Sequence, residues 1–164
     1  MATTGTKVPL MMLELVPSGC YAVQPDSATP LTFLRISRPT FGKWKGWVKV
    51  QTQHSENWVD RWAWNPSNTD PRTRVRSYSH GAQFAGRQTI EDLILLVIVD
   101  HRKAGRQYAA EIGNCHFCNK DLTDERSRWY GFGPECEKSA EGEKDEIDDE
   151  NGGTYEQLKA RGVI

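Results

Sequence analysis

No apolar run in this sequence approaches the about eighteen residues that a membrane-spanning helix requires; the longest, residues 93–99, fits a buried helix. The first seven residues, Met1-Ala2-Thr3-Thr4-Gly5-Thr6-Lys7, lack a signal peptide's order of basic region, apolar region and cleavage site. No internal repeat recurs at a fixed period. Apolar residues make up 37% of the chain, below the usual share of about 45–50%. The core is therefore modest, and a metal staple would help it. Cysteine is scarce as well, with four in 164 residues. Neither H-x-E nor H-E-x-x-H lies beside the clustered cysteines, so the motif itself carries no common signature of catalytic zinc. These absences point to one small, intracellular, cytoplasmic domain with no membrane partner.

Charge is present but unevenly spread. The net charge of −1 conceals thirteen Lys or Arg against six Asp or Glu over residues 31–110, and nine acids against two lysines over residues 135–150. Such a split reads as a basic body and an acidic tail.

Three of the four cysteines lie between positions 115 and 136. Cys115 and Cys118 form a C-x-x-C, a turn that presents two thiolates to one point, as tetrahedral Zn²⁺ requires of its first two ligands. Cys136 closes a Gly131-Phe132-Gly133-Pro134-Glu135-Cys136 loop and supplies a third. Two other readings compete. Three buried thiols could act as small apolar residues, but the C-x-x-C is flanked by polar ones. A redox C-x-x-C usually opens a helix after a strand, whereas this one follows a helix. In a reducing compartment the set favours metal over a disulfide. Structural zinc held by Cys115, Cys118 and Cys136 is the expectation. A fourth ligand is less plain. His101 and Cys20 rank first, distant in sequence but within reach in space. His116 lies inside the knuckle, where adjacent ligands strain the geometry. His80 and Asp124 are further alternatives, and a water molecule would mark an open, catalytic site. Thr123 or Asp124 caps a short helical segment between the two halves of the site. Gly131 and Gly133 take backbone conformations closed to other residues, and Pro134 opens a helical turn.

The rest of the chain divides around this motif. Residues 1–16 form an N-terminal arm without firm pattern, with an apolar stretch at 9–13. Residues 17–114 form a β-rich body followed by helices. Strands are expected near 21–23, 31–37, 46–53, 58–64 and 72–78, on alternating polarity and intervening turn residues. Thr89 caps a helix whose Ile90, Leu93, Ile94 and Val97 share one face. Asp100 caps a second, which Gly113 ends. Residues 115–138 hold the zinc-binding motif. Residues 139–164 read as an acidic, largely disordered tail, with Ile147 the lone large apolar residue up to Gly153. The fold class is α+β: a small antiparallel sheet, one or two helices and a treble-clef-like or ribbon-like zinc knuckle.

Cys115-x-x-Cys118, then Leu122-Thr123-Asp124, Ser127 and Gly131-x-Gly133-Pro134-x-Cys136 resembles a small zinc-type domain of unknown function. That domain recurs in proteins of actinobacterial phages and their hosts. Upstream, Gly19-x-Tyr21-Ala22-Val23, Phe33-x-Arg35 and Gly42-x-Trp44-x-Gly46 are loosely similar to the β-rich half that often precedes it. Where the family most often has Gly-Arg after the second cysteine, Asn119-Lys120 stands here, and its usual proline after the aspartate is Glu125. Cys20 matches no family cysteine. The resemblance implies a phage protein, or one of phage origin, working in the host cytoplasm, and it brings no established activity.

Three functions compete. Lys43, Trp44, Lys45 and Trp47, with Arg72, Arg74, Arg76 and Tyr78, set cations beside aromatic rings on a sheet, as a DNA- or RNA-binding surface does. Residues 72, 74 and 76 would form a line of positive charge on one strand face. The plainer alternative assigns Trp47, Trp58, Trp62 and Trp64 to the core and the cations to solvation. In the nucleic-acid-binding reading, the acidic tail would cover the basic surface when no ligand is bound. A protein-interaction module that binds a host protein is the second function. A zinc hydrolase with Glu125, Asp124 or His116 as base is a distant third. The expectation is a binding protein and not an enzyme.

Overall fold

In the strand Val48–His54, V-K-V-Q-T-Q-H, Val48 and Val50 are buried while Lys49 and Gln51 are half-buried, so the period-two pleat sends one set of side chains inward. The computed structural model describes residues 6–78 and 89–164. Five strands build the sheet: β1 (Gly19–Val23), β2 (Thr32–Ser37), β3 (Val48–His54), β4 (Asn57–Trp64) and β5 (Val75–Ser77). Each pairs antiparallel with its neighbour in the chain. A register shift at Val50/Gln51 leaves Trp62 opposite Val50 and Trp64 opposite Val48. Both tryptophans are thereby buried on the inner face with Tyr21, Val23, Leu34 and Ile36.

That face is covered by α2 (Ile90–Val99), which buries Ile90, Leu93, Ile94 and Val97. Thr89 and Asp92 form a reciprocal capping box at its start. The N-terminal arm joins the same core. Its short helix α1 (Leu10–Leu13) brings in Leu13, flanked by Val8 and Val16. Glu91 ties arm to sheet, accepting hydrogen bonds from the Thr6 hydroxyl and from Trp62 Nε1.

Asp100 ends α2 and caps α3 (His101–Ile112), accepting from the Lys103 amide at 3.1 Å. This helix covers the opposite face of β1. Tyr108 packs with Cys20 and Ala22 and meets the Phe33 ring edge-on at 5.6 Å. With α2 on one face and α3 on the other, all five residues of β1 are buried. Gly113 then stops α3 in the left-handed conformation, with φ 82°, and delivers the chain to Cys115. Among the described residues no helix is long and apolar enough to cross a membrane.

Two expectations need correction. The residues from 139 onward, expected as a disordered tail, contain α5 (Glu141–Asn151) and α6 (Tyr155–Ala160). Average polarity misleads here because few apolar anchors suffice. Ala140 and Ile147 enter a second core with Ala109, Leu122, Tyr130 and Phe132, and Leu158 is buried as well. A second capping box, Thr154 with Gln157, starts α6. The segment's acids also find partners on the body: Glu146 pairs with Arg102, and Glu156 with Arg126. The line of Arg72, Arg74 and Arg76 on one strand face does not form either, because β5 begins only at Val75. Asp70 holds Arg72 in the preceding turn through its backbone amide at 2.9 Å and its guanidinium at 3.3 Å.

Candidate metal centre

Residues 113–122 form a tight hairpin, in which the Leu122 amide donates to the Gly113 carbonyl and the Cys115 amide to the Lys120 carbonyl, each at 2.8 Å. Its turn is closed by Asn119 at φ 63°, a left-handed conformation that asparagine tolerates better than most residues. The Asn119 side chain accepts from Tyr108 Oη at 2.7 Å, which ties the turn to α3. After the hairpin Asp124 caps α4 (Glu125–Tyr130), accepting from the Ser127 amide at 3.0 Å. Gly131 ends that helix at φ 88°, where a Cβ would also press on Ala109 and Arg106 at 3.3–3.4 Å. Gly133 does not share this constraint: its φ is not positive and a Cβ there would meet only Leu122, at 3.8 Å. Its contribution is the backbone amide, which bonds the Cys115 thiol.

These turns bring the sulfurs of Cys115, Cys118 and Cys136 within 4.8 Å of one another. A tetrahedral ion with metal–sulfur bonds of about 2.3 Å needs sulfurs about 3.8 Å apart, so the trio could hold a metal ion with little adjustment. Their protonation is already differentiated. Burial raises the Cys115 thiol, but the amides of Cys118, Gly133 and Phe117 outweigh it and hold the group below its usual range. Burial, reinforced by the hydrogen bonds its thiol donates to Cys118 and Cys115, pushes Cys136 up to about 12. A cation entering between them would take the place of the protons that Cys136 and its neighbours share.

The candidate fourth ligands lie elsewhere. Among the described residues no other His, Cys, Asp or Glu joins the three sulfurs within that span. Cys20 is near enough to feel Cys115 and Cys118, but burial pushes its thiol up to about 11 and its hydrogen-bond partner is Tyr108. The Nδ1 atom of His101 is buried at the start of α3, outside the trio. Asp124 is committed to its helix cap, and His80 lies outside the described residues. His116 points away from the sulfurs. Its ring is fully buried between Tyr21 and Phe117, with centroids 5.8 and 4.1 Å away, and its Nε2 lies 2.8 Å from Glu143 Oε1. The adjoining backbone anchors the knuckle on both sides. The His116 carbonyl accepts from the Cys20 amide of β1 at 2.5 Å, and its amide donates to the Gly131 carbonyl at 3.0 Å.

Sequence reasoning missed two residues of this surround. Glu143 is hidden in an acidic run with nothing to distinguish it. Gly105 did carry a signal: a glycine inside a helix costs about 1 kcal/mol against alanine and marks a close approach. The approach is that of His116, whose Nδ1 and Cε1 would lie 2.5 and 2.6 Å from a Cβ at position 105. Gly105→Ala is accordingly expected to destabilise the fold by about 2–3 kcal/mol through overpacking, despite alanine's better helix propensity. A urea midpoint equal to or above the parent's would contradict this packing role.

The basic and aromatic residues gather at the far end of the sheet. In the loop between β2 and β3, the Trp44 and Trp47 rings meet edge-on at 5.1 Å and Tyr78 approaches Trp44 at 6.1 Å. Lys43, Lys49 and Arg76 lie over Trp44 at 5.5, 5.1 and 5.9 Å. Lys49, Ala63 and Arg76 form one cross-strand row beneath those rings. Lys45 and Phe41 project into solvent, Phe41 at 84% exposure. Arg72 and Arg74 stand apart from the ring cluster, tethered to the 65–70 turn.

The model of a family of unknown function, DUF6011, matches residues 105–140. The match begins at the glycine on which His116 packs and includes all three clustered cysteines. No curated protein and no solved structure matches the chain.

Proposed function

We propose that this is a nucleic-acid-binding accessory protein of the kind phage genomes encode, stapled by a structural zinc ion on Cys115, Cys118 and Cys136. The observation that carries the binding role is the loop between β2 and β3. It presents Phe41 to solvent, sets exposed Lys43 and Lys45 close by, and braces Trp44 against Trp47 and Arg76. An exposed aromatic face flanked by cations is what single-stranded DNA or RNA requires, because rings stack bases and ammonium groups meet phosphates. Zinc suits the sulfur donors, and three thiolates lower the Lewis acidity of the ion they hold, which favours a staple over a hydrolase. A second reading, docking onto a host protein, has Met11, Met12 and Leu15 in its favour, all exposed around α1.

Fluorescence anisotropy with short labelled oligonucleotides tests the first reading, using the full chain because residues beyond 139 are part of the fold. Binding is expected to weaken linearly in log–log form between roughly 50 and 200 mM salt. Phe41→Ala should lose about 1–3 kcal/mol of stacking, and Lys43→Glu with Lys45→Glu should flatten the salt slope. Absence of salt-sensitive binding to DNA and RNA alike would refute the proposal.

A further inference from the structure

We infer that the cleft between α3, α4 and α5 is a phosphate-binding site, separate from the loop between β2 and β3. Its volume is about 420 Å³, and Arg102, Lys103, Arg106 and Arg128 line it beside Trp129. The volume lies within the range of pockets that accept small organic ligands, about 300–1,000 Å³. Three of the cations come from adjoining turns of α3 and the fourth from α4.

Two of them are fixed in place. Arg106 donates to the Trp129 carbonyl at 2.9 Å and stacks over the Trp129 ring at 5.6 Å. Arg128 uses its Nε on the Leu122 carbonyl at 3.0 Å, which leaves its terminal nitrogens for another acceptor. Such fixed guanidinium forks match phosphate oxygens two at a time. Lys103 is exposed and has no carboxylate partner among the described residues, whereas Arg102 is shared with Glu146.

Trp129 Nε1 is itself sealed from solvent and has no hydrogen-bond partner among the described residues, so the cleft offers an incoming anion its cations rather than that N–H. Arg106 lies over the Trp129 ring, and the Tyr155 ring is tilted against it at 6.4 Å. Asp100 and Glu150 also line the cleft. Asp100 is turned to its helix cap, and four cations against Asp100, Glu150 and the Glu146 that pairs with Arg102 leave the cleft positive by one charge.

Inorganic pyrophosphate is the probe. Calorimetric titration into the full chain at low salt should show one saturable site, and Lys103→Gln with Arg128→Gln should weaken it at least tenfold while the thermal melt stays within a few degrees of the parent's. Tryptophan emission should change on titration in the parent and lose that response in Trp129→Phe. A competition arm separates the two sources of phosphate. If pyrophosphate displaces a labelled oligonucleotide, the cleft takes backbone phosphates; if it binds without displacing it, the cleft takes a small phosphorylated molecule. No saturable pyrophosphate binding, or binding unchanged in the double variant, would overturn the inference. Either result leaves the role of the loop between β2 and β3 to its own anisotropy test.

Discussion

Cys115→Ser is expected to abolish stoichiometric metal binding and to lower the melting temperature by on the order of 10–20 °C. Cys115 is the buried member of the trio, and three backbone amides converge on its sulfur. A serine hydroxyl is a poor zinc ligand and would leave those amides weakly satisfied. Where the site exists only in the folded chain, metal-binding energy is folding energy, worth about 10–16 kcal/mol in small zinc peptides. Here Leu122, Tyr130, Phe132 and Ile147 hold part of the geometry by packing, so a loss of about 5 kcal/mol is the fitting scale. At roughly 2–4 °C per kcal/mol for a chain of this length, that gives the stated shift. Elemental analysis of reduced protein, with melts in the presence and absence of a chelator, measures it. A parent protein that carries no metal and whose melt ignores the chelator would refute the staple.

Glu143→Ala should cost about 1–3 kcal/mol, although it lies in a segment whose composition reads as solvated tail. The substitution leaves the His116 ring wholly enclosed with neither nitrogen paired, and a buried polar group stripped of its hydrogen-bond partner carries that penalty. Glu143→Gln retains a hydrogen-bonding group at 2.8 Å from Nε2 and should lose about half as much. Glu146→Ala provides the contrast. Its partner Arg102 and Glu146 itself are both substantially exposed, and surface pairs are worth under about 1 kcal/mol. Denaturant midpoints that rank Glu146→Ala as the more damaging change would remove Glu143 from its anchoring role.

The sheet and the two long helices are legible in the sequence because each announces itself locally. Val48 and Val50 alternate with Lys49 and Gln51, and Thr89 and Asp100 stand at the starts of helices. The cysteine trio is legible for the same reason, since C-x-x-C and a glycine-rich return are short-range patterns. What is not legible depends on distant partners. Glu143 acquires its meaning only from His116, and Ile147 only from the core under α4. Asp70 diverts Arg72 from a strand that its alternation with Arg74 and Arg76 would predict. The candidates for a fourth ligand lie outside the trio for a similar reason. His116 is nearest in sequence, yet Gly105, Tyr21 and Glu143 together turn its ring away from the sulfurs.

The contact between the Cys20 amide and the His116 carbonyl has a consequence for solubility. A meander leaves its first strand with one unzipped rim, and G-C-Y-A-V is an uncharged, β-prone segment that a second chain could extend. The knuckle sits on that rim and occupies it. If the trio holds a metal ion, a chain starved of it would uncover adhesive backbone wherever the knuckle lifts from β1, which would couple metal supply to the risk of self-association.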